Sequence, residues 1–373
     1  GTQKNQTYVS VGAVNARGII QNNDLDRYNF SVRNTTSMLN DKLTMDLSFM
    51  YSNVKEQNML SQGEYANPLV PVYLFPRGDD FSKYQYYERY DVDRNIKTQF
   101  WPLKENGLSM QNPYWITNRN MYTNKKDRFL ASGSLKYTIT DWLNVSGRVK
   151  LDKETINSEK KMYASTLNVI AENSDKGAYV QSNKNTSQIY ADAMLNINKY
   201  FYHDTWNLTA SLGASLLDLD YKELNFGGGL LTIPNLFTSN NANVSGKLTY
   251  KNTNYHDRTN SLFGTFSLGY KGMVYVDGSL RNDWISALAG TNHSSILYPS
   301  IGASAILTNM FTMKSNILSY AKVRLSYSEV GNAPERFRAI TTYAVLGGLN
   351  TTSYFPIKDL KPERTHSWEG GFN

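Results

Sequence analysis

Apolar and polar side chains alternate one for one along residues 261–284. A turn at residues 271–273 divides this stretch into two runs of ten or more residues. The apolar or small positions are Leu262, Gly264, Phe266, Leu268 and Tyr270 before the turn, and Val274, Val276, Leu280 and Trp284 after it. A period of two predicts strands, and both runs exceed the five or six residues of an ordinary strand. The pattern therefore predicts a hairpin long enough to cross a bilayer.

The same alternation recurs along the chain and predicts about twelve strands. Short turns are predicted at residues 40–42, 140–141, 202–204 and 271–273. Long loops are predicted at residues 57–127, 157–176, 222–257 and 331–362. Transmembrane barrels keep short turns at one rim and long loops at the other. The predicted fold class is therefore all-β, an antiparallel transmembrane β-barrel.

Composition is compatible with a barrel and excludes a helical membrane protein. Hydrophobic residues make up 40% of the chain and the mean hydropathy is −0.50. The sequence has no run of about 18 apolar residues of the kind that spans a membrane as a helix. A barrel tolerates this polarity because one face of its strands is wet. Cysteine is absent, which excludes disulfides and thiolate sites.

The charge distribution does not indicate a nucleic-acid partner. The formal net charge is +7, but lysine and arginine are spread along strands and loops and form no basic block. The chain opens at Gly1 without the charged and apolar regions of a signal peptide. It stops at Asn373 within an alternating segment. We therefore expect residues 1–373 to be part of the barrel domain of a larger polypeptide.

Motifs for catalysis, metal binding or cofactor binding are not found, so we predict no enzyme. No GxSxG elbow occurs, and none of the four histidines has a partner at helical metal-binding spacing. Residues 91–95 match the start of a calcium loop, but Ile96 and Pro102 occupy positions that require Gly and Glu. The glycines at 227–229 lack a following GKS/T, which favours a flexible loop over a phosphate site.

Aromatic residues are concentrated in the longest predicted loop. Flat rings beside hydrogen-bonding groups suit stacking on sugars or holding peptide side chains. The candidate substrate-binding residues are Tyr84, Tyr86, Tyr87, Trp101, Tyr114 and Trp115. The alternative interpretation is that these rings pack on one another or form an interfacial belt.

Several short phrases, in order, resemble a known family. They are NPYW at 112–115, DR at 127–128, DWL at 141–143, RND at 281–283, YPS at 298–300, KVRLSYSEVGN at 322–332 and LKPERTHSWEGGF at 360–372. Their order and spacing resemble SusC/RagA-type TonB-dependent outer-membrane transporters over nearly the whole chain. One departure follows Asp283, where the chain reads WISALAG and the family commonly has a Gly-Ser-Ser-type run.

The resemblance implies a 22-stranded barrel in the bacterial outer membrane, closed by an N-terminal plug and energised through a TonB box. It also implies contact with outer-membrane lipid, a SusD-like surface lipoprotein as partner, and oligosaccharides or peptides as imported substrates. The plug and the TonB box are not found in these residues, and no cofactor is implied. The alternative function from a different class is a soluble or surface β-rich carbohydrate-binding protein.

Overall fold

A computed structural model describes residues 1–59, 65–102, 110–243, 250–311, 319–340, 343–345, 349–351, 356–357 and 359–373. Most of them form one antiparallel sheet of twelve strands. These strands are β1 (Asn5–Arg17), β2 (Asp24–Met38), β3 (Leu43–Gln57), β4 (Asn120–Thr140), β5 (Leu143–Tyr163), β6 (Gly177–Phe201), β7 (Trp206–Gly229), β8 (Tyr250–Tyr270), β9 (Val274–Ile285), β10 (Ser295–Ile306), β11 (Lys322–Asn332) and β12 (Glu363–Phe372).

The strands pair strictly in chain order, and this confirms the predicted series of hairpins. Within the described residues, β1 and β12 are the two edges of the sheet, each with one neighbour. Closure into 22 strands stays an implication of the resemblance. The turns after β2 and β6 each hold three consecutive residues at positive φ, between 52° and 65°. Asn and Asp, which tolerate this region, are among them.

Strands at the loop rim are longer than predicted. Residues 120–127, 157–163, 222–229 and 250–257 were predicted as loop, yet all belong to strands. The prediction was wrong there because both faces of these segments are polar and the alternation disappears. The glycines at 227–229 also lie in β7 and not in a flexible loop. A Cβ on Gly227 would lie 2.0 Å from the carbonyl oxygen of Tyr179, so the neighbouring strand requires glycine.

One face of the sheet, the apolar face, exposes a band of large apolar side chains. Leu212, Leu280 and Leu325 on this face are 58%, 52% and 57% exposed. Along β7 the band runs from Trp206 to Leu216 and then gives way to Asp218. Eleven residues in a strand tilted by about 40° cover about 25 Å, the height of the lipid-facing band of an outer-membrane barrel. The apolar face is therefore the lipid-facing surface.

The opposite face, the polar face, is lined by charged pairs and hydroxyl groups. Arg148 Nη2 lies 2.7 Å from Asp192 Oδ2, and Arg281 Nε lies 2.7 Å from Asp283 Oδ1. The hydroxyls of Ser279 and Ser300 hydrogen-bond at 2.7 Å across β9 and β10. Polar groups satisfied in this way belong to a wet interior wall.

Short helices, 3₁₀ turns and two small hairpins lie in the connections between the strands. The helices are α1 (Leu69–Tyr73), α2 (Pro113–Arg119) and α3 (Leu307–Met310), and the 3₁₀ turns are Phe81–Gln85, Ser239–Asn241 and Ser286–Leu288. Two small hairpins pair Glu88–Asp91 with Ile96–Gln99 and Tyr343–Val345 with Leu349–Thr351. Within the described part of the chain, no helix has the length and apolar character needed to span a membrane.

The two rims differ as predicted, with three exceptions. Residues 18–23 and 286–294 make short connections at the loop rim, between β1 and β2 and between β9 and β10. Residues 307–321 make a longer one at the turn rim, between β10 and β11.

Candidate functional site

Asn112 is the centre of a hydrogen-bond network in the long loop between β3 and β4. Its side chain is fully buried and donates to the carbonyl oxygens of Tyr84 and Phe100, at 2.8 and 2.9 Å. Its Oδ1 accepts from the backbone N–H of Tyr114 at 2.8 Å and so caps helix α2. Pro113 at the first helical position suits this start, because its missing N–H would have no helical partner. Asn112 thus ties three loop segments together.

Helix α2 also joins this loop to the next one, residues 164–176. Trp115 is fully buried, and its indole Nε1 donates to Thr166 Oγ1 at 3.0 Å. Gln111 donates to the carbonyl of Tyr65 at 3.1 Å and accepts from the backbone N–H of Leu167 at 3.1 Å. The described parts of the two loops therefore form one packed unit, which we call the loop layer.

Three of the six predicted aromatic residues contact other rings of the loop layer, and a fourth is buried between the two loops. Tyr84 and Trp101 pack edge to face at 5.2 Å, and both lie 5.5 Å from Phe75. Tyr114 lies 6.0 Å from Phe81. Trp115 belongs to the buried interface with residues 164–176. These contacts correspond to the self-packing alternative for four of the six residues.

Tyr86 and Tyr87 differ from the other predicted residues in their surroundings. Tyr86 is 72% exposed, which leaves its ring free to meet a ligand. Tyr87 is half-buried, and the Arg119 guanidinium lies 5.9 Å from its ring centre. Of the six, Tyr86 is therefore the most accessible.

An ion-pair cluster fixes the small hairpin against α2. Glu88 accepts from Arg119 Nη2 at 2.6 Å and from Lys97 Nζ at 2.7 Å. Burial acts to raise the pKa of Glu88, but the hydrogen bonds from these two cations outweigh it and hold the pKa below its ordinary value. The folded loop layer therefore stabilises the charged form of Glu88.

Acidification should loosen this hairpin. A carboxyl with a depressed folded-state pKa stabilises fully above its ordinary value of 4.5 and loses that contribution as the pH falls through the folded pKa. We expect amide hydrogen-exchange protection in residues 88–99 to fall about tenfold over that range, the size of one charge-assisted hydrogen bond. In Glu88→Gln, protection should be low already at pH 7 and insensitive to pH. A parallel loss in both proteins would contradict this role.

Residues 91–95, which match the start of a calcium loop in the sequence, form the turn of the same small hairpin. Asp91 Oδ1 accepts from the backbone N–H groups of Asp93 and Arg94, both at 3.1 Å. Asn95 has positive φ and accepts a hydrogen bond from the hydroxyl of Tyr90. The segment is therefore a turn stabilised by its own side chains. Among the described residues, no group of three His, Cys, Asp or Glu is placed to hold a metal ion.

A second aromatic cluster, not predicted from the sequence, lies on the polar face between the apolar band and the loop rim. The rings of Tyr221 and Tyr255 stack at 4.6 Å and 14°. Arg336, from the connection between β11 and β12, lies 3.8 Å from the ring centre of Tyr255. It also pairs with Asp257 at 2.5 Å. We call Tyr221, Tyr255, Arg336 and Asp257 the tyrosine–arginine cluster.

Neighbouring groups supply hydrogen-bonding capacity beside these rings. The Tyr221 hydroxyl donates to Glu223 at 2.8 Å, and Lys184 Nζ lies 3.5 Å from the same carboxylate. Flat rings flanked by donors and acceptors can bind sugars or peptide groups. Sequence alone could not find this cluster, because strand register and a distant loop bring its members together. The only local signal is a tyrosine in each of two polar stretches.

Comparison with solved structures supports the barrel architecture. The whole chain matches the RagAB peptide transporter with a TM-score of 0.72 and 17% identity, and spans 41% of that chain. It also matches the ferric citrate transporter FecA, with a TM-score of 0.56, 10% identity and full coverage, over 44% of that chain. The ferric-catecholate import receptor Fiu from E. coli K12 gives a TM-score of 0.56 at 10% identity, over 52% of that chain.

These structural matches are distant in sequence, so they show the fold alone. Comparison with curated protein sequences gives no match. A family model settles the classification, because the TonB dependent receptor-like, β-barrel model matches residues 65–373. This agrees with the lipid-facing band, the polar wall and the resemblance in the sequence phrases. The chain therefore belongs to the TonB-dependent receptor-like β-barrel family and is an outer-membrane protein.

Proposed function

We propose that this chain forms part of the wall of an outer-membrane importer of oligosaccharides or peptides, within a larger polypeptide. The tyrosine–arginine cluster carries the proposal. It lies on the face that lines a barrel interior, above the level of the lipid-facing band, where an entering substrate would pass. The structural match to RagAB, which is described as a peptide transporter, also supports an import function.

The proposed partners rest on the resemblance in the sequence phrases and on the structural match to RagAB. A SusD-like surface lipoprotein would meet the loop rim, and TonB would act through a region outside these residues. Oligosaccharide remains beside peptide as a substrate class, because stacked tyrosines serve both. Outer-membrane location leaves the soluble carbohydrate-binding alternative without support.

The predicted loop aromatics have two roles in this proposal. Tyr86 contacts substrate through its exposed ring. Tyr84, Tyr87, Trp101, Tyr114 and Trp115 support it from within the loop layer.

Uptake should depend on the stacked tyrosines. Replacing Tyr221 and Tyr255 by Ala is expected to weaken uptake of the cognate substrate roughly three- to tenfold, the size of a stacking contribution. The measurement is growth of a deletion strain, complemented with each variant, on a panel of oligosaccharides and peptides. Tyr200→Ala is the matched control, because Tyr200 is 60% exposed on the polar face near the turn rim.

Two results would contradict the proposal. A deletion strain that grows normally on every oligosaccharide and peptide in the panel would remove the import function. Equal uptake by the double variant and by Tyr200→Ala, at equal outer-membrane levels, would remove the tyrosine–arginine cluster from the substrate path.

A further inference from the structure

A cavity of about 480 Å³ lies where the loop layer meets the ends of β4 and β5 at the loop rim. Its lining comes from four segments that are distant in sequence. Its lining residues include Ile20, Ala66, Ile116, Tyr122, Lys160 and Met162. The volume suits one or two amino-acid residues of a ligand.

Most of the cavity wall is apolar and firmly packed. Ile116 on α2 is 5% exposed, and Met162 on β5 is 6% exposed. Met162 packs with Ala171 and Ala178 in a small core that Ile170 extends. Methionine and isoleucine walls of this kind favour an aliphatic group, because a sugar hydroxyl placed against them would lose its hydrogen bonds to water.

Lys160 is the one cationic residue among the described residues that line the cavity. It pairs with Tyr122 across β4 and β5 and lies on the polar face, two residues from Met162. It makes no hydrogen bond and no ion pair within 4.0 Å to any residue that the structure describes, and Glu172 is the carboxylate that attracts it at longer range. Lys184, on the same face, is paired with Glu223.

The partial loss of hydration at the Lys160 ammonium group favours a ligand with a negative charge. A half-buried ammonium group beside an apolar wall loses hydration, and an incoming carboxylate would compensate for that loss. A neutral ligand would leave the ammonium group in the same unfavourable state.

We propose that this cavity binds the C-terminal residue of an oligopeptide, with its apolar side chain in the pocket and its carboxylate on Lys160. The inference rests on the proposed import function and selects peptide over neutral oligosaccharide within it. A fatty acid shares the chemistry of a carboxylate beside an aliphatic group. The experiment below separates the two sources.

Binding of two labelled probes to the purified full-length protein tests this assignment. The probes are a fluorescein-labelled Ala-Ala-Leu tripeptide as the free acid and the same peptide as the C-terminal amide. Fluorescence polarisation should show the wild type binding the free acid about tenfold more tightly than the amide, as expected for one charge-assisted hydrogen bond. Lys160→Met should bind both probes with the weaker affinity, while Lys150→Met, on the same strand and face but outside the cavity lining, should keep the preference.

A cavity-filling variant tests the pocket independently of the charge. Ala66→Trp adds bulk from a loop position that makes no strand pairing, and it should weaken both probes. Heat-modifiable gel mobility shows that each variant is folded.

Three outcomes would overturn the assignment. They are equal binding of acid and amide by the wild type, an unchanged preference in Lys160→Met, and displacement of the peptide by octanoate but not by unlabelled Ala-Ala-Leu. Growth on the substrate panel is scored separately. Normal uptake with any of these results rejects the cavity alone, whereas absent uptake rejects the import function.

Discussion

Arginine in place of Leu212 should cost about 2–4 kcal/mol of the free energy of folding into a bilayer. Leu212 lies at the middle of the band that runs from Trp206 to Leu216, and 58% of its surface is exposed on the apolar face. A guanidinium there would sit in hydrocarbon near the midplane, far from both interfaces. Denaturant titration of the full-length protein folded into phosphatidylcholine vesicles measures this loss.

Thr265→Arg is the matched control for that substitution. Thr265 lies on β8 next to Gly264, which is the register partner of Leu212, but it belongs to the opposite, polar face. Its side chain is exposed, so an arginine there can reach water and should change the folding free energy by less than about 0.5 kcal/mol. Equal losses at the two positions would contradict the assignment of the faces.

Truncating Trp115 to Ala should destabilise the loop layer by about 3–5 kcal/mol, the usual cost of removing a buried aromatic side chain. The indole fills the contact between α2 and residues 164–176, and its loss also leaves Thr166 without a donor. We expect faster hydrogen exchange in residues 110–119 and 164–176. The lipid-facing band should keep its protection, because the strands pair with one another independently of the loops.

Tyr86→Ala gives the comparison, because that ring is 72% exposed and its loss creates no cavity. Exchange in the loop layer should then match the wild type. If Trp115→Ala left the exchange of both loop segments unchanged, the indole would not be holding the layer together. If Trp115→Ala abolished folding of the whole barrel, the loops would not be separable from the wall.

Periodicity predicted the wall well because lipid imposes one rule on every strand. Between Trp206 and Leu216, each alternate side chain must be apolar or small, and the tight turn at residues 202–205 fixes the register. Twelve strands and their order followed from that rule. On the loop-rim side of the band, both faces of residues 157–161 are polar, so no pattern marks the strand and its extension was missed.

The candidate sites were less predictable because they depend on contacts between distant segments. Trp115 reads as an exposed loop aromatic in the sequence, yet Thr166 and Leu167 from another loop bury α2. Tyr221 and Tyr255 face each other only after β7 and β8 pair. Lys160 differs from other lysines of the wall that have no ion pair among the described residues, such as Lys136 and Lys150, because it is half-buried in the cavity lining, and no local pattern in the sequence encodes that.

The most direct test of the central claim is a scan of spin-labelled single cysteines from residue 206 to residue 222 in proteoliposomes. The chain has no native cysteine to interfere. Accessibility to oxygen should peak at even positions as far as Leu216, and accessibility to a water-soluble nickel chelate should peak at odd positions. From Asp218 onward, both faces should be accessible to the chelate. Oxygen accessibility without a period of two, or with its maxima at odd positions, would contradict the membrane-wall assignment.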